Sequence, residues 1–94
     1  MRYNKAEKLT IGNKTHRVAC WDNDGETCDR FTVAYLDHDE SPGACAGVGM
    51  SANPFHPQGF VQHCAIMPGR HLGKRIPFAG LPGDCQKLVT QDLA

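Results

Sequence analysis

The densest group of side chains that could bind or catalyse lies between residues 51 and 63. Its amide and imidazole groups can both donate and accept hydrogen bonds. Two prolines stiffen the backbone here, because proline fixes its own φ and disfavours the helical region for the residue before it. We therefore predict that this loop is a rigid partner-binding surface; the alternative is a packed loop whose polar groups bond to its own backbone. The candidate contact residues are Asn53, His56, Gln58, Gln62 and His63.

The histidines of this segment allow a catalytic alternative. Imidazole exchanges protons near neutral pH, so His56 or His63 could serve as the general acid or base of a small hydrolase or transferase. No recognisable motif joins either histidine to a serine, a cysteine or a carboxylate. Cys64 follows His63 directly, and neighbouring strand residues point to opposite faces, which argues against a Cys–His pair. The pattern therefore favours binding without catalysis.

A zinc-stabilised structural domain is a third alternative, because zinc prefers thiolate and imidazole ligands. The spacing argues against it, since Cys20 and Cys28 are farther apart than the two to four residues typical of zinc motifs. Small buried cysteines that act as apolar side chains explain the same residues. We predict neither a metal nor another cofactor. The candidate zinc ligands would be Cys20, Cys28, His63 or Cys64, and Cys85.

Charge is balanced overall but unevenly distributed. The 10 basic and 10 acidic side chains cancel, so no net field favours nucleic acid or an anionic membrane. Acidic residues concentrate between Asp22 and Glu40, with basic residues on either side. The basic turn Gly69–Arg75 adds Lys74 and Arg75 as candidate contacts but lacks a phosphate-loop pattern. The predicted partner is another protein, and nucleic acid is only weakly indicated.

Length and hydropathy bound the architecture. We predict one domain over residues 1–94, since 94 residues suffice for one core. No stretch approaches the roughly 18 apolar residues that a membrane-spanning helix needs, and the first residues lack the apolar core of a signal peptide. We expect a cytoplasmic protein with no membrane partner. Its 5 cysteines, an odd number, do not indicate a disulfide framework.

The elements that must position these residues are mainly strands. Alternating segments at 16–21 and 30–36 flank an Asp-Gly pair, which predicts a hairpin. Residues 37–44 are interpreted as a connecting loop. Strands are also predicted near 45–50, where glycines could let another backbone or a ligand approach closely, and near 60–67 and 74–78. Apolar residues at helical spacing from Cys85 to Leu93 predict a helix. The predicted fold is α+β, a small antiparallel sheet of three to five strands packed against one C-terminal helix.

Several segments resemble a group of small proteins carried by phages, plasmids and bacterial genomes. The resemblance covers roughly residues 29–93 and is most specific in Gly49-Met-Ser-Ala-Asn-Pro-Phe-His-Pro-Gln-Gly-Phe-Val-Gln-His63 and Leu81-Pro-Gly-Asp-Cys-Gln86. It implies a shared fold and a bacterial or phage setting, and it implies no activity. Together with the polar loop, it leads us to predict a non-enzymatic binding module of a phage or mobile element.

Overall fold

Six antiparallel strands form one sheet in the computed structural model, which describes residues 6–26, 29–41, 44–53 and 59–94. Strands β1 to β5 lie side by side in chain order, and β6 pairs with β2. β1 and β6 share one edge of β2, since β1 pairs with residues 14–18 and β6 with residues 20–22. The strands are β1 (Glu7–Ile11), β2 (Lys14–Asp22), β3 (Phe31–Ser41), β4 (Ala44–Met50), β5 (Phe60–Ile66) and β6 (Lys74–Ile76).

One α-helix, α1 (Gly83–Leu93), follows the sheet and packs on one of its faces. Pro82 precedes its first turn, where the missing proline N–H costs no helical hydrogen bond. The predicted α+β class, an antiparallel sheet against one C-terminal helix, is confirmed; the short β6 brings the sheet to six strands. No helix in the described part of the chain is long and apolar enough to cross a bilayer.

The predicted hairpin between β2 and β3 is confirmed. Asp24 and Gly25 have φ angles of 60° and 83°, the left-handed conformation that Asp-Gly turns adopt. The Asn23 side chain holds the turn, since its Oδ1 accepts hydrogen bonds from the backbone N–H groups of Gly25 and Glu26. Its Nδ2 donates to the Asp29 carbonyl at 3.0 Å. This turn therefore fixes the point at which Asp29 enters the sheet.

The face of the sheet that contacts α1, here called the helix face, holds the larger core. Alternate residues of the central strands supply it, as the period of two requires. At the end of α1, the Asp92 carboxylate accepts a hydrogen bond from the Tyr35 hydroxyl at 2.8 Å and another from Gln62 Nε2 at 2.8 Å. The core residues of this face include Val18, Cys20, Val33, Val48, Met50, Cys85 and Val89.

The opposite face, here called the cavity face, is covered by an irregular connection rather than by an α-helix. The connection from β5 to β6 runs from one side of the sheet to the other and includes a 3-10 turn at Arg70–Leu72. Leu72 packs against the second core, and the Arg75 guanidinium lies 5.5 Å from the centre of the Trp21 ring. The second core consists of Ala19, Trp21, Ala34, Leu36, Cys45 and Ile66.

The segment interpreted as a loop at 37–44 is largely strand. β3 continues to Ser41 and β4 begins at Ala44, with register shifts after Tyr35 and after Asp39. Bulges of this kind add residues to one strand without ending the ladder. The loop interpretation was wrong because the acidic residues here lack the apolar alternation of a half-buried strand.

Burial makes the core thiols weak acids. Cys20, Cys45 and Cys85 form no disulfide and are buried. Desolvation is the main cause that raises the pKa of the Cys20 thiol to about 12, and the nearby Glu7 carboxylate adds to it. Burial likewise raises the pKa of Cys85 to about 11. These cysteines behave as small apolar side chains rather than as nucleophiles.

The pKa of Cys20 predicts a loss of stability at alkaline pH. An unfolded thiol ionises near pH 9.0, whereas the folded one stays protonated to about pH 12, so its stabilising contribution is complete below pH 9 and falls as the pH rises. At pH 11 the loss is at most about 3 kcal/mol. Urea denaturation from pH 8 to pH 11 should show a smaller fall in the free energy of unfolding for Cys20→Ala than for the wild type. Parallel pH profiles of the two proteins would contradict this expectation.

Candidate ligand-binding site

A cavity of about 310 Å³ opens on the cavity face, between β5, the hairpin that follows β2 and the connection that follows β5. This volume is at the lower end of the roughly 300–1,000 Å³ of pockets that hold small molecules. It suits a small ligand or one side chain of a partner. The lining combines polar groups with an apolar wall and consists of Asn23, Asp29, Thr32, His63, Ala65, Ile66, Met67, His71 and Leu72.

Two glycines of β4 create the space at this part of the sheet. Gly47 and Gly49 lie on the cavity face, and Gly47 is in register with His63. A Cβ on Gly49 would lie 2.7 Å from Asp29 Oδ2 and 2.9 Å from His63 Nε2. Only glycine therefore lets these two side chains meet over β4.

A bulge in β5 decides which of its side chains reach the cavity. Cys45 pairs with Ile66 and Gly47 pairs with His63, so two steps on β4 correspond to three on β5. The extra residue reverses the alternation, and His63 and Ile66 both lie on the cavity face. A regular strand would have placed them on opposite faces.

The central polar contact of the cavity joins His63 and Asp29. Nε2 of His63 lies 3.4 Å from Asp29 Oδ2, and the two side chains are 39% and 32% exposed. The hairpin positions Asp29, because Asn23 bonds to the carbonyls of Asp29 and Arg30. A pair this exposed contributes little to the free energy of unfolding. Its arrangement over a glycine is better explained by binding than by stability.

The described ends of the predicted loop, residues 51–53 and 59, bond to the loop's own backbone. Asn53 is exposed, but its backbone N–H donates to Ser51 Oγ at 3.1 Å, and that hydroxyl donates to the Asn53 carbonyl at 2.9 Å. Ser51 N–H also donates to the Gly59 carbonyl at 2.9 Å, which closes the ends of the loop. His56 and Gln58 lie outside the described residues. The described ends of the loop thus follow the alternative interpretation, in which polar groups bond to the loop's own backbone.

The other predicted contact residues do not converge on one place. Gln62 donates to Asp92 of α1 and therefore lies on the helix face, whereas His63 faces the cavity. Arg75 stacks on Trp21, and Lys74 is exposed on β6. Among the described lining residues there is neither a lysine nor an arginine. Of the predicted contact residues that the structure describes, His63 is the one that lines the cavity.

The candidate zinc ligands are divided between the two faces. Cys20 and Cys85 belong to the core under α1, whereas His63 belongs to the cavity. The side chains of Cys28 and Cys64 lie outside the described residues. In the part of the chain that the structure describes, no group of three or more histidine, cysteine or acidic side chains could hold a metal ion.

Sequence reasoning missed Asp29, Thr32 and His71 as site residues. Asp29 was counted only as part of an acidic stretch, and His71 only as part of a basic turn. The one local signal was Gly49 within a strand, since a strand glycine often marks a close approach.

Comparisons with protein-family models, with curated proteins and with solved structures find no match to this chain. The functional proposal therefore rests on the geometry of the cavity.

Proposed function

We propose that this protein is a small, non-enzymatic binding module that takes a ligand, or one side chain of a partner protein, into the cavity over Gly49. The observation that carries the proposal is the His63–Asp29 contact, 3.4 Å long, in an open cavity beside a strand that has glycine where a side chain would block it. Ser51 and Asn53 lie at the described start of the loop that leads into β5.

Several features support binding rather than catalysis. The polar lining groups are spread around an apolar wall, as in sites that orient a ligand with a few placed contacts. The thiols of Cys20 and Cys45 are buried in the cores rather than in the cavity. Among the described lining residues, Thr32 is the one with a hydroxyl group, and it is only 8% exposed. A phage or mobile-element setting remains the expectation from the family resemblance.

The proposal predicts where small probes bind. In a fragment screen followed by amide chemical shifts of labelled protein, hits should perturb Thr32, His63, Ile66 and Leu72. His63→Gln should weaken those hits at least about tenfold, the effect of losing one good polar contact.

Gln62→Ala is the matched control, because it alters the neighbouring residue on the opposite face, where Gln62 bonds to Asp92. It should leave fragment affinity unchanged. Hits that scatter over the surface, or an equal loss in both variants, would exclude the cavity as the binding site.

Acid–base catalysis by His63 is the second candidate, and the contact with Asp29 favours it, since catalytic histidines are often oriented by a carboxylate. It predicts turnover on a panel of ester and phosphoester substrates that His63→Gln abolishes. Binding without turnover by wild-type protein would favour the module.

A further inference from the structure

We infer that the cavity over Gly49 binds a cationic hydrogen-bond donor on an aliphatic stem, a guanidinium or ammonium group such as an arginine or lysine side chain presents. This inference rests on the proposed binding function and specifies its ligand class. The cavity, the His63–Asp29 contact and the apolar wall carry it independently of any pattern in the acidic stretch.

The His63–Asp29 contact leaves acceptor atoms that a ligand can use. Nε2 faces the Asp29 carboxylate, so in the neutral imidazole the proton belongs on Nε2. The other ring nitrogen, Nδ1, is then an acceptor. A carboxylate has about four lone-pair sites, so Asp29 can accept from a ligand in addition to its contacts within the protein. Both groups can thus accept hydrogen bonds from a ligand that donates them.

The charged side chain of the cavity is a carboxylate. Among the described residues that line the cavity, Asp29 is the one carboxylate, and none is a lysine or an arginine. A carboxylate without a neighbouring lysine or arginine in the described lining attracts a cation and repels an anion. Arg75, on the same face, lies over the Trp21 ring instead.

Part of the cavity lining is apolar. Ile66, Leu72 and Met67 line the cavity beside the polar groups. Met67 is 59% exposed, so the wall extends to the mouth. Arginine and lysine bury aliphatic stems along such surfaces while the charged head bonds to acceptors. A guanidinium has the further advantage that its planar donors match a carboxylate.

The test titrates labelled protein at pH 7.5 with small probes and follows amide chemical shifts. The probes are N-acetylarginine methylamide, its lysine counterpart, the uncharged isostere N-acetylcitrulline methylamide, and N-acetylglutamate methylamide. The arginine and lysine probes should shift Thr32, His63 and Leu72, and the citrulline probe should bind at least about tenfold more weakly. Butylguanidine and a short glycine-flanked arginine peptide then distinguish two sources of the cation. Tighter binding of butylguanidine indicates a free small cation, and tighter binding of the peptide indicates a side chain of a polypeptide. Either result supports the cation class.

Two variants separate the cavity carboxylate from the general field of the acidic hairpin. Asp29→Asn should weaken binding of the arginine probe at least about tenfold. Asp24→Asn removes a carboxylate of the same hairpin whose side chain is 96% exposed and does not line the cavity, and it should change binding less than about twofold. Gly49→Ala, whose Cβ would displace the His63–Asp29 contact, should weaken binding while both side chains remain.

Equal binding of the arginine and citrulline probes, or equal losses in Asp29→Asn and Asp24→Asn, would overturn the cation assignment. If the glutamate probe alone shifts the cavity residues, the ligand class is wrong and the binding function stands. If neither these probes nor the fragment screen shifts them, both the ligand class and the binding function are wrong. Unchanged thermal melting of the variants excludes unfolding as the cause of a loss.

Discussion

Replacement of Gly47 by alanine should destabilise the protein by about 3 kcal/mol or more, a large share of the stability of a domain of this size. A Cβ at this position would collide with the carbonyl oxygen of Val33 and with Cδ1 of Ile66, and it would lie 3.1 Å from Ala34 Cα. Two of these three neighbours are backbone atoms of β3, which pairs with β4 throughout this region. The backbone cannot move aside without breaking that ladder. Urea denaturation should show the loss as a lower midpoint.

Gly83→Ala is the matched control for Gly47→Ala. Gly83 begins α1, and a Cβ there would meet nothing within 4 Å. Alanine stabilises a helix by up to about 1 kcal/mol relative to glycine. This variant should therefore be at least as stable as the wild type. Similar stability of the two variants would show that Gly47 does not require the space that the structure assigns to it.

Trp21→Ala should destabilise the protein by about 3–5 kcal/mol. The Trp21 side chain is 2% exposed and belongs to the core of the cavity face, and the Arg75 guanidinium packs over its ring. It also belongs to the core against which Leu72 packs, and Leu72 lies in the connection that closes one side of the cavity. The substitution should therefore lower stability and loosen the cavity together.

Trp21→Phe is the control for Trp21→Ala, since it keeps an aromatic ring in the core and should cost less than half as much. Denaturation gives the free energies of unfolding, and hydrogen exchange of the Leu72 and Gly73 amides reports on the connection. A cost below about 1.5 kcal/mol for Trp21→Ala would mean that the second core contributes little.

Two adjacent residues of β5 make different contacts. Gln62 and His63 are neighbours in sequence, yet Gln62 bonds to Asp92 of α1 and His63 faces the cavity. Variants of these two residues should accordingly separate stability from binding. Gln62→Ala should cost about 1 kcal/mol through the lost hydrogen bond to Asp92, whereas His63→Gln should mainly affect binding.

Local signals along the chain determined most of the fold. The alternation in β2 and β3, the Asp-Gly turn between them and the apolar spacing from Cys85 to Leu93 are properties of short segments, and each led to the element observed. The close approach at the β4 glycines was also readable, because a strand glycine has a local cost that needs a reason.

The tertiary structure alone decided the site. Asp29 and His63 are separated by β4, and they meet only because Gly49 lies between them and the pairing of β5 with β4 places His63 on the cavity face. Register and bulges depend on pairing between distant segments, which no local pattern specifies. The polar loop before β5 was conspicuous in the sequence, but at its described start the Ser51 hydroxyl bonds to the Asn53 backbone, as short polar side chains in loops often do. Which polar groups face the cavity was settled by strand pairing, a long-range property of the folded chain.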